Sequence, residues 1–366
     1  MKKSLLALAV LGAFVGAASA QSSVTVFGVV DLSLANVKND GSDARKSMNS
    51  NALNSNRFGF RGVEDLGGGL SAKFHLEAGM SNDIGTAGGG NSLGTAPANS
   101  NGAALFNRRS TVGLAGKFGE VRLGREYSPS FWNTTIFDPF GTNGLGSSLN
   151  VARAPGSSYV RTNNSLGYHL PALGGVYGEV MVAPGEGAAG KYSGGRIGFG
   201  AGPINVALAV GNTNLDAAGT LKAKVFNIAG SYKVGPATLM AQLNNDKADL
   251  AANANAGSRE AKESRILLGA NVVMGQGEIR AAWVKTDTKN NTNQSATLDE
   301  SQDDASQIAL GYIYNLSPRT ALYGTYSSIS NKGRATFSVA GGTAITAAPT
   351  AGGKSKGYEA GLRHSF

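Results

Sequence analysis

The chain has 366 residues, and its 53 glycines are about 14% of them, roughly twice the usual share, while charged residues make up only 16%. There is no Cys, which excludes disulfide scaffolds, thiolate metal sites, CxxC redox motifs and Cys nucleophiles, and three His leave little for a metal centre. Neither a cofactor nor a metal is expected. Lys and Arg number 33 against 24 Asp and Glu, a formal net charge of +9.

Residues 1–20 read as a signal peptide: Lys2 and Lys3 form a basic start, Leu5 to Gly16 an apolar run, and Ala18-Ser19-Ala20 a small-residue cleavage site. Cleavage between Ala20 and Gln21 leaves one domain, 21–366, with 31 basic and 24 acidic residues and a formal charge of +7. The apolar run is too short for a spanning helix, which needs about 20 residues, and no later run approaches that length. An exported chain without thiols suits a bacterial envelope. Three classes compete: a soluble all-β periplasmic protein, an outer-membrane barrel, and a basic secreted binder of nucleic acid or other polyanions.

Period-two alternation recurs along the chain. Leu70, Ala72, Phe74, Leu76, Ala78 and Met80 interleave with Ser71, Lys73, His75, Glu77 and Gly79; Phe226, Ile228, Gly230 and Tyr232 interleave with Val225, Asn227, Ala229 and Ser231. Ile308, Leu310, Tyr312 and Tyr314 behave likewise, and at the C-terminus Tyr358, Ala360, Leu362, His364 and Phe366 oppose Gly357, Glu359, Gly361, Arg363 and Ser365. Short Gly- or Pro-bearing connections, such as Gly67-Gly68-Gly69, Gly202-Pro203, Gly235-Pro236 and Ser317-Pro318-Arg319, alternate with long ones at roughly 38–56, 82–106, 128–158, 184–191, 212–223, 245–262, 288–304 and 330–355. This predicts an all-β transmembrane antiparallel barrel of about sixteen strands, with short periplasmic turns and long extracellular loops.

A soluble sandwich has no reason to keep every second connection short, and a strand face rich in Arg, Lys, Glu, Asn, Ser and Gly suits a water-filled lumen better than a dry core. Phe58, Tyr168, Trp283, Tyr312, Tyr323 and Phe366 are candidates for interfacial girdles. Nucleic acid is not an expected partner, because the basic residues are scattered over strands rather than clustered. Gly185-Glu186-Gly187-Ala188-Ala189-Gly190 satisfies GxGxxG but lies in a predicted loop without βαβ context. Ser165 and His169 form the one local pair worth weighing for hydrolysis, and His75, His169 and His364 lack metal-ligand spacing. No catalytic residue is assigned.

Several motifs in fixed order carry a family resemblance: Ser23 to Asp31 (SVTVFGVVD), Arg57 to Leu70 (RFGFRGVEDLGGGL), Asn107 to Leu114 (NRRSTVGL), Arg122 to Tyr127 (RLGREY), Phe137 to Gly141 (FDPFG) and Gly361 to Phe366 (GLRHSF). Across essentially the whole mature chain the sequence resembles the trimeric general porins of Gram-negative outer membranes, in their beta-proteobacterial branch. The resemblance implies a homotrimer in outer-membrane lipid and lipopolysaccharide, passing ions and small hydrophilic solutes by passive diffusion. It further implies a third loop, about 128–158, folded into the barrel with Asp138, Pro139 and Phe140 at the constriction, and a C-terminal signal (Tyr358, Leu362, Phe366) read by the barrel assembly machinery. The loop at 82–106 is a candidate for reaching a neighbouring subunit.

A pore works by its radius, its lining charge and the field across its constriction, so lumen-facing charges are the candidate site. Parity turns Arg57 and Arg61 inward opposite Phe58 and Phe60, Arg109 inward opposite Val112 and Leu114, and Arg161 inward opposite Leu166 and Tyr168. Facing lipid at the midplane, each would cost about 2–4 kcal/mol. Parity also selects Arg122, whereas the resemblance selects Arg125 along with Arg57 and Arg161; a bulge at Gly124 would reconcile the two. Ion pairing with wall carboxylates such as Glu77, Glu126 or Glu179 is the competing role, above all for Arg61 and Arg122. The third loop carries one acid, Asp138, and adds Arg153. Unopposed guanidinium groups in a narrow channel attract anions, which makes anion selectivity the expectation. Alternatives are a channel selective for one organic acid, phosphate or amino acid, or a surface barrel with adhesive or antigenic loops.

Overall fold

A computed structural model describes residues 23–87, 105–153, 159–250, 259–289, 303–340 and 347–366. The predicted signal peptide with Ala20 and Gln21, and most of the loop at 82–106, lie outside the described residues. In chain order the strands are β1 (Ser23–Asn39), β2 (Arg45–Ser50), β3 (Arg57–Gly67), β4 (Leu70–Ser81), β5 (Thr86–Ala87), β6 (Arg109–Gly116), β7 (Gly119–Tyr127), β8 (Arg161–His169) and β9 (Val176–Ala183). They continue as β10 (Tyr192–Ala201), β11 (Ile204–Asn214), β12 (Lys222–Val234), β13 (Ala237–Leu250), β14 (Arg259–Met274), β15 (Gly277–Lys289), β16 (Ala305–Asn315), β17 (Thr320–Asn331) and β18 (Lys354–Ser365). Among the described residues, one α-helix, α1 (Pro129–Ile136), and a 3-10 turn at Ser148–Val151 interrupt the series between β7 and β8.

All strands pair antiparallel with their neighbours, and the sheet closes where β1 meets β18 over Val29–Asn39. On its other edge β1 pairs β3 from Ser23 to Val29 and β2 from Leu32 to Val37, so β2 extends the β3 stave rather than adding one. Setting aside β2 and the two-residue β5, the eighteen strands make a closed sixteen-stave antiparallel barrel. Closure leaves no unpaired edge, which is the condition for strands to span a bilayer.

Alternation sets which face each residue takes. On β12 the side chains of Ala223, Val225, Asn227 and Ala229 are buried inward while Lys224, Phe226 and Ile228 are exposed outward. The wall is uneven: β6 to β9 have 8, 9, 9 and 8 residues, whereas β12 to β15 have 13, 14, 16 and 13. Several predicted loops are therefore shorter than expected, β13 and β14 reaching well into the span 245–262. Trp283, Tyr312 and Phe366 stand on the exposed outer face. Tyr323 does not belong with them: it is buried inward and its hydroxyl donates to Asp31 Oδ1, because β17 turns its odd residues to the lumen.

The third loop crosses the lumen. Ser128 caps α1 through its Oγ, which accepts from Phe131 N at 3.2 Å, and Pro129 follows as the first helical residue, where a missing N–H costs nothing. From there the loop runs along the inner wall. Asn227 Nδ2 donates to Ser130 O at 2.9 Å and Gln242 Nε2 to Thr134 O at 2.8 Å. Phe137 packs on Ala207 and Ala229, Phe140 on Ala282 and Ala309, and Leu145 N donates to Glu359 Oε1 at 3.0 Å. Small wall residues at these contacts leave room for the loop's aromatic rings.

Candidate channel constriction

Opposite the loop stand three arginines. Arg57 leaves the start of β3, Arg108 directly precedes β6, and Arg161 opens β8, so all three lie where the low wall meets the inward-turning chain. Glu77 on β4 receives two of them: Arg108 Nε lies 2.5 Å and Arg57 Nη1 3.6 Å from Glu77 Oε1. Arg108 Nη2 and Arg161 Nη2 both donate to the Tyr127 hydroxyl at 2.9 Å, and Arg161 Nε donates to Arg108 O at 2.9 Å. The Arg161 guanidinium also stacks over the Tyr127 ring, 4.5 Å from its centroid. Arg161 forms no ion pair among the described residues.

The three arginines and Tyr127 line a cavity of about 410 Å³ whose other side is the loop, through Trp132, Pro139 and Phe140, and whose far wall includes Arg280. Arg280 Nε donates to Glu278 Oε1 at 2.6 Å. Asp138 also reaches this cavity but is spent on the loop itself: its oxygens accept from Phe140 N at 2.8 Å and Ser148 N at 2.9 Å. Burial pushes its carboxyl above the usual carboxylate value, with the bonds from Ser148 and Phe140 pulling the other way. Pro139 presses on Gly269 of β14, where an added Cβ would fall inside contact distance of Pro139 Cγ. Gly269→Ala is therefore expected to push the loop tip toward the arginines and lower single-channel conductance while leaving the reversal potential unchanged.

A second cluster lies nearer the short turns, around a cavity of about 350 Å³ lined by Arg61, Lys73, His75, Arg109, Glu120 and Arg122. Here carboxylates occupy the cations. Arg109 Nη2 is 2.6 Å from Glu126 Oε2, and Arg122 is 2.8 Å from both Glu120 and Glu126. Lys73 Nζ sits 3.1 Å from Glu120. Arg61 has no ion pair among the described residues, and its guanidinium lies over Phe27 at 5.3 Å.

The predicted arginines thus separate into two levels. Arg57 and Arg161 meet at the loop; Arg61, Arg109 and Arg122 lie below it. Arg125 joins neither lining: Glu120, Arg122 and Glu126 are the buried or half-buried pairing face of β7, and Arg125 alternates with them, on the side of Val121 and Leu123. Its guanidinium donates to Asn107 O at 2.6 Å and to Asn163 Oδ1. The expected irregularity does occur beside Gly124, at φ +125°, but its extra residue lies in β8, since Gly124 faces Ser165 and Glu126 faces Thr162. The register of β7 therefore does not flip. Arg108 takes the place beside Arg57 and Arg161. Parity could not select it, because it precedes the strand; the doublet Arg108-Arg109 was the available signal. Ser165 and His169 turn to different partners, Gly124 O at 2.8 Å and Glu179 at 3.0 Å.

A closed barrel with a charged lumen narrowed by its own loop is a channel by construction. The sequence profile of Gram-negative porins matches residues 7–334. Outer membrane porin protein 32 of Delftia acidovorans is 35% identical over the full length of both chains, and an outer membrane porin protein of Bordetella pertussis is 27% identical over 89% of this chain and 94% of its own. Among solved structures, an anion-selective porin from Comamonas acidovorans superposes with a TM-score of 0.78 at 32% identity, covering 94% of this chain and all of that one. The chain belongs to the Gram-negative porin family, and it is an outer-membrane porin forming a diffusion channel. Its relatives are channels rather than enzymes.

Proposed function

We propose that this porin selects anions, and that Arg57, Arg108 and Arg161 carry the selection against the nearly acid-free third loop. The observation that supports this most is the pair of guanidinium groups, Arg108 and Arg161, sharing one phenol hydroxyl beside a single carboxylate, Glu77. Across the cavity Asp138 is held by backbone N–H groups of its own loop. Positive charge in a narrow, partly desolvated passage raises the local anion concentration. The Comamonas relative, described as anion-selective, points the same way. The Arg109 and Arg122 ion pairs below make that level a polar lining of weaker preference.

The family further supports a homotrimer, and the exposed outward residues Tyr358, Leu362 and Phe366 suit a signal read by the barrel assembly machinery. Recording the folded protein in a planar bilayer across a salt gradient tests the reading. Conductance steps in threes with a reversal potential toward the anion value are expected; a cation-directed potential would contradict the assignment.

A further inference from the structure

Helix α1 divides its residues between the barrel wall and the passage. Ser130, Asn133 and Thr134 are buried on the wall side, where Asn227 and Gln242 hold the carbonyls of Ser130 and Thr134. One turn apart on the opposite face stand Trp132 and Ile136, and both line the cavity that Arg57, Arg108 and Arg161 also line. Ile136 is 38% exposed although it lies inside the barrel rather than on its lipid face. Pro139 and Met240 of β13 extend the same apolar lining. Thr135, between Trp132 and Ile136, turns its hydroxyl to Gly141 O at 3.1 Å. With Asp138 held by its own loop, this side of the passage offers a solute apolar surface rather than charge.

Across the cavity, two arginines keep donors to spare. Arg57 engages Ser55 O through Nε and Glu77 through Nη1, and Arg161 engages Arg108 O through Nε and the Tyr127 hydroxyl through Nη2. Arg57 Nη2 and Arg161 Nη1 therefore meet no partner among the described residues. Tyr127 joins the two sides. The Arg161 guanidinium lies over its ring, and the Trp132 ring meets it at 5.0 Å between centroids with the planes 78° apart. One phenol ring thus carries a guanidinium and an indole, both of which line the same cavity.

We infer that the constriction holds a binding subsite for planar aromatic carboxylates of benzoate size, the carboxylate on Arg57 and Arg161 and the ring against Trp132 and Ile136. The inference rests on the anion-selective reading of this cavity and adds a substrate class to it. A guanidinium fork meets a carboxylate in two parallel hydrogen bonds. A flat ring gains an oriented contact with the indole and has few rotamers to lose on binding, unlike a flexible chain. Chloride or phosphate uses the arginines alone, and the apolar side gives it nothing. The cavity, about 410 Å³, falls within the range of small-molecule sites, about 300–1,000 Å³.

The test records the full folded porin in planar bilayers in potassium chloride, with benzoate and cyclohexanecarboxylate, equal in charge and close in size, added as probes. Benzoate is expected to halve the chloride current at a concentration about threefold or more below that of cyclohexanecarboxylate. An apolar wall without ring recognition would favour the more hydrophobic cyclohexane ring instead. Trp132→Leu is expected to abolish the preference for benzoate, and Trp132→Phe, which keeps a ring, to retain it. Equal half-blocking concentrations in the wild type, a preference that survives Trp132→Leu, or one lost in Trp132→Phe overturns the proposal. Should Trp132→Leu fold poorly by heat-modifiable mobility, the wild type and Trp132→Phe decide the matter between them. Failure of the anion-selective reading would show separately, as a cation-directed reversal potential in potassium chloride alone.

Discussion

Replacing Arg57, Arg108 and Arg161 together by Gln should reduce the anion-to-cation permeability ratio by about tenfold or more, the scale on which focused fields concentrate counter-ions. Reversal potentials across a potassium chloride gradient measure it. The change removes three of the four guanidinium groups that line the cavity and leaves Asp138 and the Glu278-paired Arg280 on its wall. The barrel should survive, because these side chains bond to Tyr127, to Glu77 and to the carbonyls of Ser55 and Arg108, which precede their strands, rather than to the strand ladder. Neutralising Arg109 and Arg122 together with their partners Glu120 and Glu126 is the control; it removes no net charge, so a smaller drop in anion preference is expected there. A triple variant with an unchanged reversal potential would refute the assignment.

Arg265→Met should be the most destabilising single change in the lumen, at about 3–5 kcal/mol, the usual result of removing one member of a buried ion pair. Arg265 is 1% exposed, pairs through Nη1 with Glu263, and donates from Nη2 to Tyr159 at 3.2 Å. Asp246, directly across the strand pair from Glu263, is also buried, so the variant would strand two carboxylates without a cation between them. The damage would reach the constriction, since Glu263 Oε2 accepts from Arg153 N at 2.7 Å and so anchors the loop's far end. Urea titration followed by the heat-modifiable gel shift measures the stability, and open-channel current noise reports the loop. Adding Asp246→Asn and Glu263→Gln should restore much of the loss by removing the uncompensated charges. A midpoint unchanged in Arg265→Met would mean that solvent reaches this cluster.

The barrel was legible because its signal is local: an exposed, lipid-facing row must be apolar at every second residue, and Phe226, Ile228, Ile308 and Leu310 write that rule directly into the sequence. Arg108 escaped the rule by standing one residue before β6. Arg125 misled in the opposite way, since the motif that suggested it says nothing about which strand absorbs the extra residue beside Gly124. Tyr323 had the composition of a girdle residue, yet its partner Asp31 lies 292 positions earlier in the chain.

By itself the sequence determined the compositional class, the staves, the alternation of short and long connections, and a third loop poor in acid. These follow from residue type and spacing of two along one strand. Only the tertiary structure decided which arginines share a level, that Glu120 and Glu126 occupy Arg109 and Arg122, and that Asp138 is consumed by its own loop. Each of those depends on strand register and closure between residues distant in the chain, which the period of a single strand does not encode.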